Sequence, residues 1–186
     1  MRRGALGVLG LGLLLAPPTG IPADTLWQVT TVTACQQVGV PASLALAIVA
    51  AESGGRPYAI RVNTGRGTTS FPATYATAVP IVTAVHQRTT NVDLGLFQLN
   101  YREVHRRSAA WTHQGAFGAF WQHLRGVSPA LLLAPSVNAL VGCAMLRQAL
   151  DAGGPLWQQI GRYHSPLPAR QHAYAQQVFA WLDRRR

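Results

Sequence analysis

Apolar residues return at helical spacing through most of this chain, and that periodicity restricts it to a mainly helical fold. Leu26, Val29, Val32 and Cys35 form one stripe, which closes near Gly39. A second helix is expected from Pro41, whose fixed φ suits a first turn, through Leu44, Ile48 and Ala51 to Glu52, where Gly54-Gly55 stops it. The same spacing predicts helices over residues 137–150, 156–163 and 169–182, the last carrying Tyr174, Val178 and Trp181 at i, i+4 and i+7. Residues 56–90 break the pattern. They are richer in Gly, Pro and Thr, and are read as a short strand, Tyr58-Ala59-Ile60-Arg61-Val62, and a helix over 73–86. Residues 94–100 and an aromatic stretch over 111–124 follow, and no segment repeats. With 186 residues, 48% apolar and 12% charged, the chain has enough material for one domain with a substantial core. The expectation is a mainly α, single-domain fold with a small β or irregular element in its first half.

The N-terminus reads as an export signal. Met1-Arg2-Arg3 is followed by an apolar run from Ala5 to Ala16 and by Pro17-Pro18. Twelve helical residues cover roughly 18 Å, short of the ~30 Å hydrocarbon layer, so a cleaved leader over residues 1–23 is favoured over an uncleaved anchor. Cleavage after Ala23 leaves a domain over residues 24–186 and removes two arginines, lowering the formal charge from +10 to +8. Export changes how Cys35 and Cys143, the only cysteines, are read. There is no C-x-x-C and no H-E-x-x-H, so no metal site is expected, and an oxidising compartment favours one disulfide over two buried thiols.

All sixteen basic residues are arginine, so charge is weak evidence for any partner. The acids form a short list: Glu52, Glu103, Asp24, Asp93, Asp151 and Asp183. Glu52 is the unusual one, a carboxylate at the C-terminal end of a helix of Ala, Leu, Ile and Val. The helix dipole and an apolar surrounding both disfavour its ionised form, and Arg56 and Arg61 oppose that effect if they approach. A carboxyl that keeps its proton is suited to general-acid work. The alternative is a solvated glutamate at a helix end.

Four motifs stand in a fixed order: Glu52-Ser53-Gly54-Gly55, Asp93-Leu94-Gly95-Leu96-Phe97-Gln98-Leu99-Asn100, Asn138-Ala139-Leu140-Val141-Gly142 and Gly161-Arg162-Tyr163. That ordered set resembles the soluble lytic transglycosylases of the goose-type lysozyme fold, over roughly residues 35–182. Tyr58-Ala59-Ile60-Arg61-Val62-Asn63 and Asn91-Val92-Asp93-Leu94-Gly95 resemble the branch that accompanies type IV secretion and conjugation systems. The resemblance implies a lysozyme-like α+β fold, a periplasmic monomer and no cofactor. It also implies cleavage of the β-1,4 bond between N-acetylmuramic acid and N-acetylglucosamine to a 1,6-anhydro end. Glu52 matches the catalytic glutamate, while Ser53, Asp93, Gln98 and Tyr163 fall on substrate-binding positions. Peptidoglycan strands are the implied partner, together with the secretion apparatus, and nucleic acid is not.

Two positions depart from the pattern. His164 follows Tyr163 where asparagine is common, and it is read as a loop residue bonded to backbone. Asp93 stands where many relatives carry serine, and is either a second carboxylate near the cleft or a turn residue. Ser53 lacks the preceding glycine of a nucleophile elbow, so acyl transfer is not expected. Gly65-Arg66-Gly67 has no accompanying lysine and reads as a mobile loop. Trp111, Phe117, Phe120 and Trp121 are assigned to the core, Glu103 to a solvated pairing with arginines, and Arg184-Arg185-Arg186 to a frayed end. Two other readings are open: a lysozyme-type hydrolase on the same scaffold, and a basic module that binds peptidoglycan without cutting it.

Overall fold

The computed structural model describes residues 23–110 and 118–184. The leader expected over residues 1–23 lies outside them apart from Ala23, as do Trp111, Phe117, Arg185 and Arg186. The described chain is mainly helical with one small antiparallel sheet. Helices α1 (Ala23–Gln37) and α2 (Ala42–Ser53) come first, followed by strands β1 (Ile60–Val62) and β2 (Thr68–Ser70). Helix α3 (Tyr75–His86) and strands β3 (Val92–Leu94) and β4 (Leu99–Asn100) complete the first half. The second half is helical: α4 (Tyr101–Ala110), α5 (Gly118–His123), α6 (Pro129–Leu133), α7 (Pro135–Asp151), α8 (Leu156–His164) and α9 (Pro168–Asp183). The sheet order is β2-β1-β3-β4, with Arg61 opposite Asp93 and Asp93 opposite Asn100.

The helices expected from periodicity are present, most within two or three residues of the expected ends. Helix α2 runs one residue past Glu52 and ends at Gly54, whose left-handed φ of 62° returns its N–H to the Ala50 carbonyl. Strands β2, β3 and β4 and helices α4 and α6 were not foreseen. Strands of two or three residues give no alternation to read, and β3 is fixed by a partner distant in sequence, β1, while β4 pairs with β3 alone. The Gly65-Arg66-Gly67 segment is the β1–β2 turn, with Gly67 donating to the Thr64 carbonyl.

Helix α7 is the post on which the irregular part is hung. Asn138 is fully buried on it, and its side-chain amide replaces the ladder that the 94–97 turn lacks. Its Oδ1 accepts from the Phe97 N–H at 2.9 Å, and its Nδ2 donates to the carbonyls of Leu94 at 2.7 Å and Leu132 at 3.0 Å. Gly95, at φ 73°, lies against that amide where any Cβ would overlap it, and Gly142, one turn along α7, leaves room for the buried Phe97 ring. The asparagine and glycine of the Asn138 motif thus hold the loop that carries Gln98.

Cys35 on α1 and Cys143 on α7 form a disulfide, both fully buried, with Cα atoms 5.0 Å apart. The bridge ties residues 108 positions apart, so on the chain-entropy model it removes a large part of the freedom of the unfolded chain. Cys143→Ser is expected to lower unfolding free energy by about 2–5 kcal/mol, read by urea denaturation, and intact mass with and without reductant should differ by two hydrogens. Trp121 is fully buried and Phe120 packs on the core, as the aromatic reading expected.

Candidate active site

Glu52 lines a cleft of about 700 Å³. Helix α2 delivers it there: Leu44, Ala45, Ile48 and Val49 bury the helix in the core, and the last full turn presents Glu52 with only 12% of its side chain exposed. Its Oε1 lies 3.4 Å from Nδ1 of His164, the last residue of α8. An Nδ1–H donates to the carboxylate, and a carboxyl proton on Oε1 donates in turn to a bare Nδ1. His164 is therefore not the loop residue bonded to backbone that the sequence suggested. One extra residue of helix turns it toward Glu52, and its ring stacks flat on Tyr174 of α9, with centroids 4.3 Å apart and planes 5° from parallel.

Two phenols surround this pair. Tyr163 donates to the Phe97 carbonyl at 2.9 Å, which leaves its oxygen as an acceptor in the cleft. Burial, and next the Glu52 charge, push its pKa well above the ordinary phenol value, against a smaller opposing pull from Arg107. Burial and the neighbouring Glu52 carboxylate also raise Tyr174 well above its ordinary value. Tyr174 is buried, and its hydroxyl meets no partner at good hydrogen-bond geometry among the described residues. Both rings remain neutral and supply an apolar wall beside the carboxyl.

Gln98 is the one described non-glycine residue with positive φ, at 45°. That backbone conformation costs of order 1–3 kcal/mol and is held by its surroundings. Its Nε2 donates to the carbonyls of Gly95 at 2.9 Å and Ala59 at 3.4 Å. Because both partners are carbonyls, the amide is oriented, and its own carbonyl oxygen is left for an N–H donor in the cleft.

Asp93 lines the same cleft, on the sheet face, and is neither a turn residue nor a free carboxylate. Its Oδ2 accepts from Asn63 Nδ2 at 2.7 Å and its Oδ1 from Asn100 Nδ2 at 2.8 Å. Ser53 is apart from the cleft: it is buried and its hydroxyl donates to the Val49 carbonyl of its own helix at 3.2 Å, which leaves it no open path to a ligand. Among the described residues no three His, Cys, Asp or Glu side chains are grouped to hold a metal ion.

The part of the cleft lining that α4 supplies was missed. Helix α4 carries Arg102, Glu103, Arg106 and Arg107 into the cleft. Tyr101 and Val104, buried three residues apart, were the available helical signal, obscured by the charges between them. Glu103 accepts from Arg106 Nε at 2.8 Å and NH2 at 2.7 Å, and from Arg107 Nε at 2.8 Å, so the expected pairing is present on a half-buried rather than solvated side chain. The Arg106 hydrogen bond is the main cause that holds the Glu103 carboxyl below its ordinary value near 4.5, with Arg107 reinforcing it against partial burial. A depressed folded value means the pairing stabilises the fold above that ordinary value and ceases to do so as pH falls through the lower folded one. Glu103→Gln is thus expected to be less stable than wild type at neutral pH, and the gap should close on acidification below about pH 4.5, read by urea melts across pH.

No protein-family model, curated protein or solved structure matches this chain.

Proposed function

We propose that the protein is a peptidoglycan lytic transglycosylase, exported to the periplasm, that opens the wall locally for a type IV secretion or conjugation apparatus. The observation that supports this most is the placement of Glu52, nearly buried at the tip of an apolar helix, in one cleft with Gln98 and Tyr163 and held by His164. No helix among the described residues is long and apolar enough to cross a membrane.

Glu52 protonates the oxygen that leaves C1 of the muramoyl sugar, and the C1–O bond breaks. The substrate's own N-acetyl group supports C1 in place of a second carboxylate, which suits a site where amides already occupy both oxygens of Asp93. Glu52, now ionised, takes the proton of the muramoyl 6-hydroxyl as its oxygen bonds C1. The 1,6-anhydro ring closes, the carboxyl is regenerated and water is not consumed. Gln98 accepts from the acetamido N–H through its free carbonyl oxygen, and Tyr163 offers its phenol oxygen on the same side.

Purified protein incubated with peptidoglycan sacculi should release soluble muropeptides that carry no reducing end. Fragments with reducing ends would identify a lysozyme-type hydrolase, and binding without release would identify a non-catalytic module.

A further inference from the structure

Five arginines line the cleft, Arg61, Arg102, Arg106, Arg107 and Arg162, against three carboxylates. Each carboxylate already has a partner from within the fold. Glu52 meets His164, Asp93 is shared by Asn63 and Asn100, and Glu103 is divided between Arg106 and Arg107. Arg162 is also spent, since its NH1 donates to the Gly153 carbonyl at 2.5 Å.

Arg61 and Arg102 are left over. Arg61 stands directly opposite Asp93 in the sheet, yet the two amides pre-empt both Asp93 oxygens. Arg102 enters the cleft one residue before Glu103, whose oxygens face the other way along α4 toward Arg106 and Arg107. Both side chains are exposed, and neither makes a hydrogen bond or ion pair with another described residue. A guanidinium with five donors and no internal acceptor is suited to a planar carboxylate.

We infer that Arg61 and Arg102 form a carboxylate-binding subsite at the sheet side of the cleft, so that the preferred substrate is a glycan strand bearing free carboxylates rather than a neutral one. The inference rests on the transglycosylase reading for the kind of strand involved. Two sources offer the same chemistry: the stem-peptide carboxylates of intact strands, and the lactyl carboxylates uncovered when the peptides are removed.

Binding tests it without turnover. In a full-length Glu52→Gln background, calorimetry compares peptide-bearing muroglycan fragments, peptide-free fragments and a chitooligosaccharide of equal length. Arg61→Gln and Arg102→Gln should each weaken binding of a carboxylate-bearing strand about tenfold, the loss expected when one charge-assisted contact goes. Chitooligosaccharide affinity should be unchanged, and Arg170→Gln, an equal loss of charge on α9 outside the cleft, should bind like the parent. A larger effect on peptide-bearing strands assigns the subsite to the stem peptide, and a larger effect on peptide-free strands assigns it to the lactyl group. Arg61→Lys and Arg102→Lys keep the charge and should retain part of the affinity, which carries the test if a glutamine variant does not fold. Unchanged binding in the arginine variants, or an equal loss on the neutral oligosaccharide, would overturn the subsite. Selective binding with no fragment release by the wild type would instead remove the catalytic reading and leave the subsite standing.

Discussion

Glu52→Gln is expected to fold normally and to lose at least about a thousandfold in release of muropeptides. General acid or base assistance contributes roughly 10²–10⁴ in a single step, and here one carboxyl performs both proton transfers. Glutamine keeps the shape and one hydrogen-bonding oxygen toward His164 but carries no transferable proton. The stability of the variant separates this from damage to the fold. Glu52 sits at the negative end of the α2 dipole with 12% of its side chain exposed, so a neutral amide of the same shape there should leave the melting temperature unchanged or slightly raised. Lost activity with lost stability would point to a structural glutamate, and retained turnover would take Glu52 out of the reaction.

Asn138→Ala carries the largest expected cost in stability, about 3–5 kcal/mol. The substitution orphans the Phe97 N–H and withdraws the donor shared by the Leu94 and Leu132 carbonyls, all in the buried interior. It also opens space beside Gly95, which the asparagine amide now fills. The turn it releases leads into Gln98, whose positive φ is held by its surroundings. Urea denaturation measures the first effect. The second predicts that, in conditions where the variant is still folded, binding of peptidoglycan fragments falls along with stability. A loss under 1 kcal/mol would show that the 94–97 turn is held by something other than α7.

Much of this was legible in the sequence, for reasons specific to each part. Helix α7 was readable because its buried residues Val137, Val141, Ala144 and Met145 follow a helical period, and Glu52 because a carboxylate is conspicuous among Ala, Leu and Ile. The disulfide followed from two cysteines and an export signal, and the structure contains it. The cleft was legible only as separate pieces. His164 and Glu52 are 112 residues apart, and no local pattern announces that one extra residue of α8 swings an imidazole onto α2. The arrest of Asp93 by Asn63 and Asn100 depends on register between strands too short to identify by alternation. Ser53 illustrates the opposite error: its place in a motif beside Glu52 suggested a role in binding, while helical geometry turns it 100° away into the core.

The most direct measurement is digestion of sacculi in water enriched in oxygen-18, with the released muropeptides weighed by mass spectrometry. The account predicts muramoyl ends that are 1,6-anhydro, one water lighter than a hydrolysis product and free of the label. Ends that carry oxygen-18, or sacculi that bind the protein and release nothing, would contradict it.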